Sequence, residues 1–214
     1  MIKNYFISSI RNIVRNKFFT LINIVGLSVG IATSILIFLY IKHETSYDKD
    51  ESRYDRIYRV VSDNQHENRL ESEAITPNPL VPALRLGLTL PEAITRTIFW
   101  EEVVVSYDSK KFKFKNALFV EPQFFNVFNV NWVVGSADVF NAPDVAVFTE
   151  SAAIKFFGTT DVVNKQIKLN GKTNFTIKGI VKDNQLTNLP YSILFSFEGY
   201  PKLDMPFNID SWGT

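Results

Sequence analysis

The stretch FFTLINIVGLSVGIATSILIFLYI, residues 18–41, decides the architecture of this chain. It holds 24 residues without a charge, 15 of them Phe, Leu, Ile or Val, and it lies between Lys17 and Lys42. As a helix it would be about 36 Å long, enough to cross a hydrocarbon core of about 30 Å. A buried helix of a soluble protein is rarely so long and so apolar on every face. The sequence therefore predicts a transmembrane helix over residues 18–41.

A cleaved signal peptide is the nearest alternative for this segment. Its apolar region would hold roughly 7–15 residues and end at a small-residue cleavage site. The run here is longer and leaves through Tyr40-Ile41-Lys42-His43-Glu44, so we expect the helix to stay attached. The positive-inside rule then places the N-terminus in the cytoplasm and residues 43–214 outside. The basic residues that precede the helix are Lys3, Arg11, Arg15 and Lys17.

The charge balance supports this division of the chain. The formal net charge is +1, yet residues 43–214 hold 18 basic and all 22 acidic residues, a net charge of −4. The excess of basic residues therefore lies beside the hydrophobic run, where a membrane would use it. Nothing in the charge balance indicates nucleic-acid binding. Cysteine is absent, which excludes disulfides, thiol catalysis and cysteine-based zinc sites.

Two features of the membrane region indicate partners. Residues 2–17 have the period of a basic amphipathic helix suited to the cytoplasmic interface. It is either a plain membrane anchor or a docking surface for a cytoplasmic partner, and the period alone favours the anchor. Within the span, Gly26, Gly30 and Ser34 make a face of small residues that lets another helix approach closely.

Beyond residue 42 the sequence alternates short strand patterns with short helix patterns. This mixture predicts one α+β domain over residues 42–214 with a mixed, mainly antiparallel sheet. Asn170-Gly171 is a residue pair preferred in two-residue hairpin turns. Thr149 and Gly158 are typical of the first and last caps of a helix. The predicted strands are Arg56–Ser62, Ile94–Trp100, Val103–Tyr107, Phe112–Val120, Val145–Phe148, Gln166–Leu169 and Asn174–Val181. The predicted helices are Leu80–Leu88, one that opens at Glu121-Pro122, and Ser151–Phe157.

The helix that opens at Glu121-Pro122 carries Phe124, Phe125 and Phe128. These aromatic residues could form an exposed edge that binds a partner. Aromatic residues at helical spacing are more often part of the core, and we favour that interpretation.

No residue pattern in the chain indicates catalysis, a cofactor or a metal. Gly171-Lys172-Thr173 resembles the end of a phosphate-binding loop, but the glycine required five positions earlier is Gln166. A hairpin turn explains the tripeptide better. His43 and His66 are the two histidines, and no tight group of carboxylates accompanies them. We therefore predict no catalytic, cofactor-binding or metal-binding residues.

Several blocks of the sequence, in order, resemble the N-terminal part of the MacB/FtsX-like ABC transporter permeases with their periplasmic core domain. Together they cover nearly the whole chain. The blocks are IRNIVRNKFFTLINIVGLSVGIATSILIFLYI (10–41), ETSYDKDESRYDRIYRVV (44–61), LPEAITRTIFW (90–100), LFVEPQFFNVFNV (118–130), VAVFTESAAIKFFG (145–158) and VNKQIKLNGKTNFTIKGIVKD (163–183).

The resemblance implies a non-catalytic permease subunit in the bacterial inner membrane. A separate nucleotide-binding subunit would hydrolyse ATP and move the membrane helices, and the periplasmic domain would act on a substrate or partner in export, lipoprotein release or envelope signalling. A second permease copy is a further expected partner, besides the lipid bilayer. Family members continue into more membrane helices, so we expect these 214 residues to be the N-terminal part of such a permease. A single-helix-anchored extracytoplasmic sensor or binding domain is the alternative.

Overall fold

The computed structural model describes residues 11, 13–45, 54–66, 69–183 and 189–203. The chain divides into two compact units, Met1–Tyr47 and Asp48–Thr214.

The first unit is dominated by one helix, α1, Lys17–Glu44. It contains the whole predicted span and adds a turn with Lys42 and His43, whose positions suit the negative end of the helix dipole. The N–H of Thr45 closes this end on the carbonyl of Ile41, at 2.9 Å. No side chain of α1 is buried within the structure, and an 18-residue window reaches a mean hydropathy of 2.4. By length and composition α1 is the one described helix able to cross a membrane.

A short helical stretch precedes α1. Arg11 and residues 13–15 are helical, and the chain departs from helical geometry at Asn16 before α1 begins. The prediction of an amphipathic helix over residues 2–17 otherwise falls mostly on residues 1–10 and 12, which lie outside the described residues.

The second unit begins with a two-stranded hairpin and a short helix. Strands β1, Ser62–His66, and β2, Arg69–Glu73, are antiparallel, and helix α2 covers Leu80–Gly87 as predicted. The predicted strand Arg56–Ser62 is wrong. Tyr54–Arg56 is a 3-10 turn, and residues 57–61 form no ladder because β2 ends opposite Ser62.

The main sheet of the second unit closes on itself. Its strands are β3 Thr97–Tyr107, β4 Lys110–Val120, β5 Trp132–Val134, β6 Val145–Thr149, β7 Gln166–Leu169, β8 Thr173–Val181 and β9 Ile193–Ser196. Its strands run in the order β5-β8-β6-β9-β4-β3-β7, and β7 also pairs with β8, so six strands form a ring with β5 attached to β8. The pairs β4–β9 and β6–β8 are parallel, and the other five pairs are antiparallel. The predicted α+β class with a mainly antiparallel sheet is confirmed.

Local sequence signals placed two features correctly. Asn170 and Gly171 connect β7 to β8 with φ angles of 49° and 70°, the left-handed values that such a turn requires. Helix α4, Glu150–Phe157, begins with the Thr149 hydroxyl accepting the N–H of Ala152 at 3.3 Å. It ends at Gly158, whose φ is 78°. The two runs predicted around residues 94–107 are instead one strand, β3.

Two apolar clusters cover opposite faces of the central strands. The larger draws side chains from all six ring strands and from α4, including Phe114, Phe119 and Phe148. The smaller lies on the other face of β4, β6, β8 and β9, under the short helix α3, Phe124–Val127, and the 3-10 turn Ala137–Asn141. Strands covered on both faces lose the apolar–polar alternation. This explains the unbroken burial of β6 and β9.

Candidate interaction surfaces

The small-residue face of α1 is open along the helix. A Cβ added at Gly26 or Gly30 would meet no atom within 4 Å. The Ser34 hydroxyl donates to the carbonyl of Gly30 at 2.9 Å, so its polar group is satisfied within the helix. Leu27 and Phe38 are among the apolar residues that border this shallow face. A smooth apolar face with an exposed backbone suits close approach of a second helix.

The basic residues before the membrane are only partly described. Arg11, Arg15 and Lys17 are exposed, and Lys3 lies outside the described residues. The described basic side chains are therefore accessible to solvent at the start of α1.

The aromatic group of α3 belongs to the core. Phe124 is 1% exposed, which rules it out as a partner-facing residue in this fold. Phe125 and Phe128 are half-buried and pack against the smaller cluster. The Phe125 ring lies 4.8 Å from the Phe140 ring and Phe128 lies 4.7 Å from Phe124, between ring centroids. The helix carries its aromatic residues inward because it covers the outer face of the central strands.

A buried carboxylate, which the sequence analysis missed, joins α2 and its following loop to the ring. Glu121 is 7% exposed and accepts from both Arg85 and Arg96, the latter at 2.8 Å from Nε to Oε1. Arg85 also donates to the Ile94 carbonyl at 2.7 Å, and the Arg96 guanidinium lies 3.9 Å from the centre of the Phe197 ring. An acidic residue inside the apolar stretch LFVEPQFF was the only sequence signal of this site.

A second polar contact fixes the start of α4. The Asp183 carboxylate accepts the backbone N–H of Ser151 at 3.0 Å and also its hydroxyl. Burial raises the pKa of the neighbouring Tyr191 to about 12, and the negative charge of Asp183 adds to the rise. The contact ties the chain after β8 to the helix that follows β6.

Two kinds of chemical site considered from the sequence, a metal site and a phosphate-binding loop, can be checked among the described residues. In the ranges that the structure describes, no group of three or more His, Cys, Asp or Glu side chains could hold a metal ion. Gly171 and Thr173 lie at the β7–β8 turn, where the hairpin places them.

Comparison with solved structures identifies the fold. A domain described as part of a permease protein from Porphyromonas gingivalis matches with a TM-score of 0.55 and 21% identity, covering 72% of this chain. The chain spans 65% of that solved domain. The periplasmic region of MacB from Actinobacillus actinomycetemcomitans matches with a TM-score of 0.45 and 17% identity, over 65% of this chain and 64% of that one.

The extracellular domain of the ABC-type transporter YknZ from Gram-positive bacteria matches with a TM-score of 0.44 and 13% identity, over 55% of this chain and 60% of that one. No curated protein matches the chain. The family model of the MacB-like periplasmic core domain matches residues 20–208. One apolar N-terminal helix followed by a mixed α+β domain agrees with that match. The chain belongs to the family of proteins with a MacB-like periplasmic core domain.

Proposed function

We propose that this chain is the N-terminal part of a permease subunit in an ABC transporter complex. A separate nucleotide-binding subunit would hydrolyse ATP in the cytoplasm, and this chain would convert the resulting motion into a rearrangement outside the membrane. The observation that carries the proposal is the family match over residues 20–208, which joins most of the apolar helix to the extracytoplasmic domain. The rearrangement outside the membrane would serve export, lipoprotein release or envelope signalling.

The proposed topology has three parts. Residues 1–17 lie at the cytoplasmic interface, residues 18–41 cross the inner membrane, and residues 42–214 form the periplasmic domain. The basic residues before the apolar run, Arg11, Arg15 and Lys17 among them, support this orientation by the positive-inside rule. Because the chain has no cysteine, a single introduced cysteine reports topology cleanly. Ser136→Cys is exposed and should react with a membrane-impermeant maleimide in cells whose outer membrane has been permeabilised, whereas Ser8→Cys should not.

Helix α1 is the element proposed to carry the motion. None of its side chains is buried by the residues that the structure describes, which suits a helix covered by lipid or by other helices. Coupling between distant sites needs packed elements with more than one arrangement. The open face at Gly26 and Gly30 is where we propose that α1 packs against another membrane helix, of the same subunit or of a second permease copy.

Co-purification of the native complex tests the proposal. An affinity-tagged chain, extracted from its own membranes in mild detergent, should bring an ABC ATPase subunit with it, identified by mass spectrometry. The double variant Gly26→Leu/Gly30→Leu should lower the recovery of partner subunits. A Cβ added at either position would meet no neighbouring atom within 4 Å, so we expect a loss of recovery to report a partner helix.

The matched control for helix packing is Ser28→Leu/Ala32→Leu. These positions are two residues from the glycines and therefore lie on the opposite face of α1. The control should leave recovery unchanged. A complex that never contains an ATPase subunit would contradict the proposal and favour the single-helix-anchored sensor or binding domain.

A further inference from the structure

One solvent-facing surface of the ring is strongly basic. We define the lysine face as the outward side chains of the four neighbouring strands β4, β3, β7 and β8. It does not include the part of the sheet that the 3-10 turn Ala137–Asn141 covers. Strand pairing places these residues side by side, since β3 pairs with β4 and β7, and β7 pairs with β8. The outward positions are Lys111, Lys113, Lys115, Glu102, Val104, Ser106, Gln166, Lys168, Asn174, Thr176 and Lys178.

The centre of the lysine face has no opposing charge. Ser106 is in register with Lys111 on one side and with Lys168 on the other, which puts these two lysines two strand spacings, about 10 Å, apart. The one glutamate among the outward positions, Glu102, pairs with Lys113. Glu101 and Asp108 flank the face along β3 and its turn, and they leave the lysines in excess.

This local excess runs against the charge of the whole domain, because residues 43–214 carry a net charge of −4. Like charges on neighbouring strands destabilise a sheet slightly. A surface that collects lysine in an acidic domain is therefore suited to a partner of negative charge. Opposite potentials across an interface raise the rate of encounter and select the partner.

We propose that the lysine face docks an acidic segment of a partner protein. A bilayer fits the face less well, because surfaces that insert into membranes carry apolar and aromatic side chains. Here the apolar residue among the outward positions is Val104, only 36% exposed. Between the lysines stand hydrogen-bonding side chains, Ser106 and Thr176 among them, which suit carboxylates and backbone amides. The assignment goes beyond the proposed function and does not depend on an ATPase.

The test is binding of a fluorescein-labelled 16-residue oligoglutamate to the full chain in nanodiscs of phosphatidylcholine, followed by fluorescence anisotropy. We expect binding at low salt that weakens as salt is raised, because exposed charges are screened. The variant Lys111→Gln/Lys168→Gln should weaken binding about fivefold to tenfold, the sum expected for two exposed ion pairs. Both lysines are exposed, so the thermal unfolding temperature should not move.

The matched control is Arg59→Gln/Lys182→Gln, which removes the same charge at exposed positions away from the face. Lys182 lies just beyond the end of β8, about 13 Å along the chain from Lys178 at the margin of the face and about 27 Å from Asn174. The control should change binding less than twofold. Equal losses in both double variants, or no salt-dependent binding, would overturn the proposal. A third outcome would also overturn the proposal: the wild type binds vesicles containing phosphatidylglycerol but not oligoglutamate, and the Lys111→Gln/Lys168→Gln variant loses the vesicle binding. That result would assign the face to lipid.

Discussion

Replacing Glu121 by Gln should destabilise the second unit far more than removing an exposed carboxylate such as that of Glu102. The substitution keeps the size of the side chain but turns one carboxylate oxygen into an N–H₂ donor. That donor would face the guanidinium of Arg85 or Arg96, each of which now donates to the carboxylate. Two positive groups would then share a largely buried site without a negative charge.

The magnitude follows from the burial of the three side chains. Removing one partner from a fully buried ion pair costs about 3–5 kcal/mol. Arg85 and Arg96 retain 33% and 22% of their side-chain exposure, so water can solvate them in part. Each also keeps a backbone acceptor, Ile94 and Asn78 respectively. We expect a loss of about 2–3 kcal/mol in the free energy of unfolding for Glu121→Gln.

Urea unfolding of the full chain in detergent, followed by tryptophan fluorescence, measures this loss. With a slope of about 2 kcal/mol per molar urea, the midpoint should fall by about 1–1.5 M. Glu102→Gln is the matched control, because it removes a carboxylate from an exposed ion pair with Lys113. It should cost less than about 1 kcal/mol.

A second comparison separates the loss of the buried carboxylate from a general loss of packing at this site. Arg85→Met should cost less than Glu121→Gln, since Glu121 keeps its bond to Arg96. If Glu121→Gln changed the free energy of unfolding no more than Glu102→Gln does, the reasoning would be refuted. The cluster would then be a contact without a stabilising role.

Further outcomes follow from close packing and from titration. Gly179→Ala should destabilise the domain by about 1–3 kcal/mol in urea unfolding, because its new Cβ would lie 2.8 Å from the Trp132 ring. Gly87→Ala, with no atom within 4 Å of the added carbon, should not. The raised pKa of Tyr191, about 12 against an ordinary 10, gives stability that is complete below pH 10 and lost as pH rises towards 12. Between pH 10 and pH 12 the free energy of unfolding of the wild type should fall by about 2–3 kcal/mol more than that of Tyr191→Phe. Asp183→Asn should weaken the start of α4 and cost about 1 kcal/mol by the same urea assay; a change within 0.3 kcal/mol would contradict a capping role.

Features set by neighbouring residues could be predicted from the sequence, and features set by distant pairing could not. The Asn170-Gly171 turn and the caps at Thr149 and Gly158 depend on backbone angles that those residues adopt locally. The apolar helix α1 was visible for the same reason, since its length and composition are enough. The strand expected at residues 56–62 needed a partner strand that β2 is too short to supply.

The closure of the ring had no local signal. The closure depends on the pairing of β3 with β7, in which Val105 lies opposite Leu169. No spacing pattern in the sequence predicts a contact between residues so far apart along the chain. The lysine face was half visible, because Lys alternates with Phe along β4. Its width across four strands depends on that same closure. The cluster at Glu121 likewise brings together Arg85 from a helix and Arg96 from a loop. Tertiary packing determines where these two elements lie, so local sequence patterns could not predict the cluster.

The position of β9 has a consequence for how the domain is made. The strand occupies Ile193–Ser196, after every other described strand, yet it sits between β4 and β6 in the ring. Until β9 has been synthesised, β4 and β6 each expose an open backbone edge, and such edges recruit other chains. The nascent domain is therefore most vulnerable to proteolysis and aggregation in the interval between the synthesis of β8 and of β9. A quality-control chaperone would meet it in that interval.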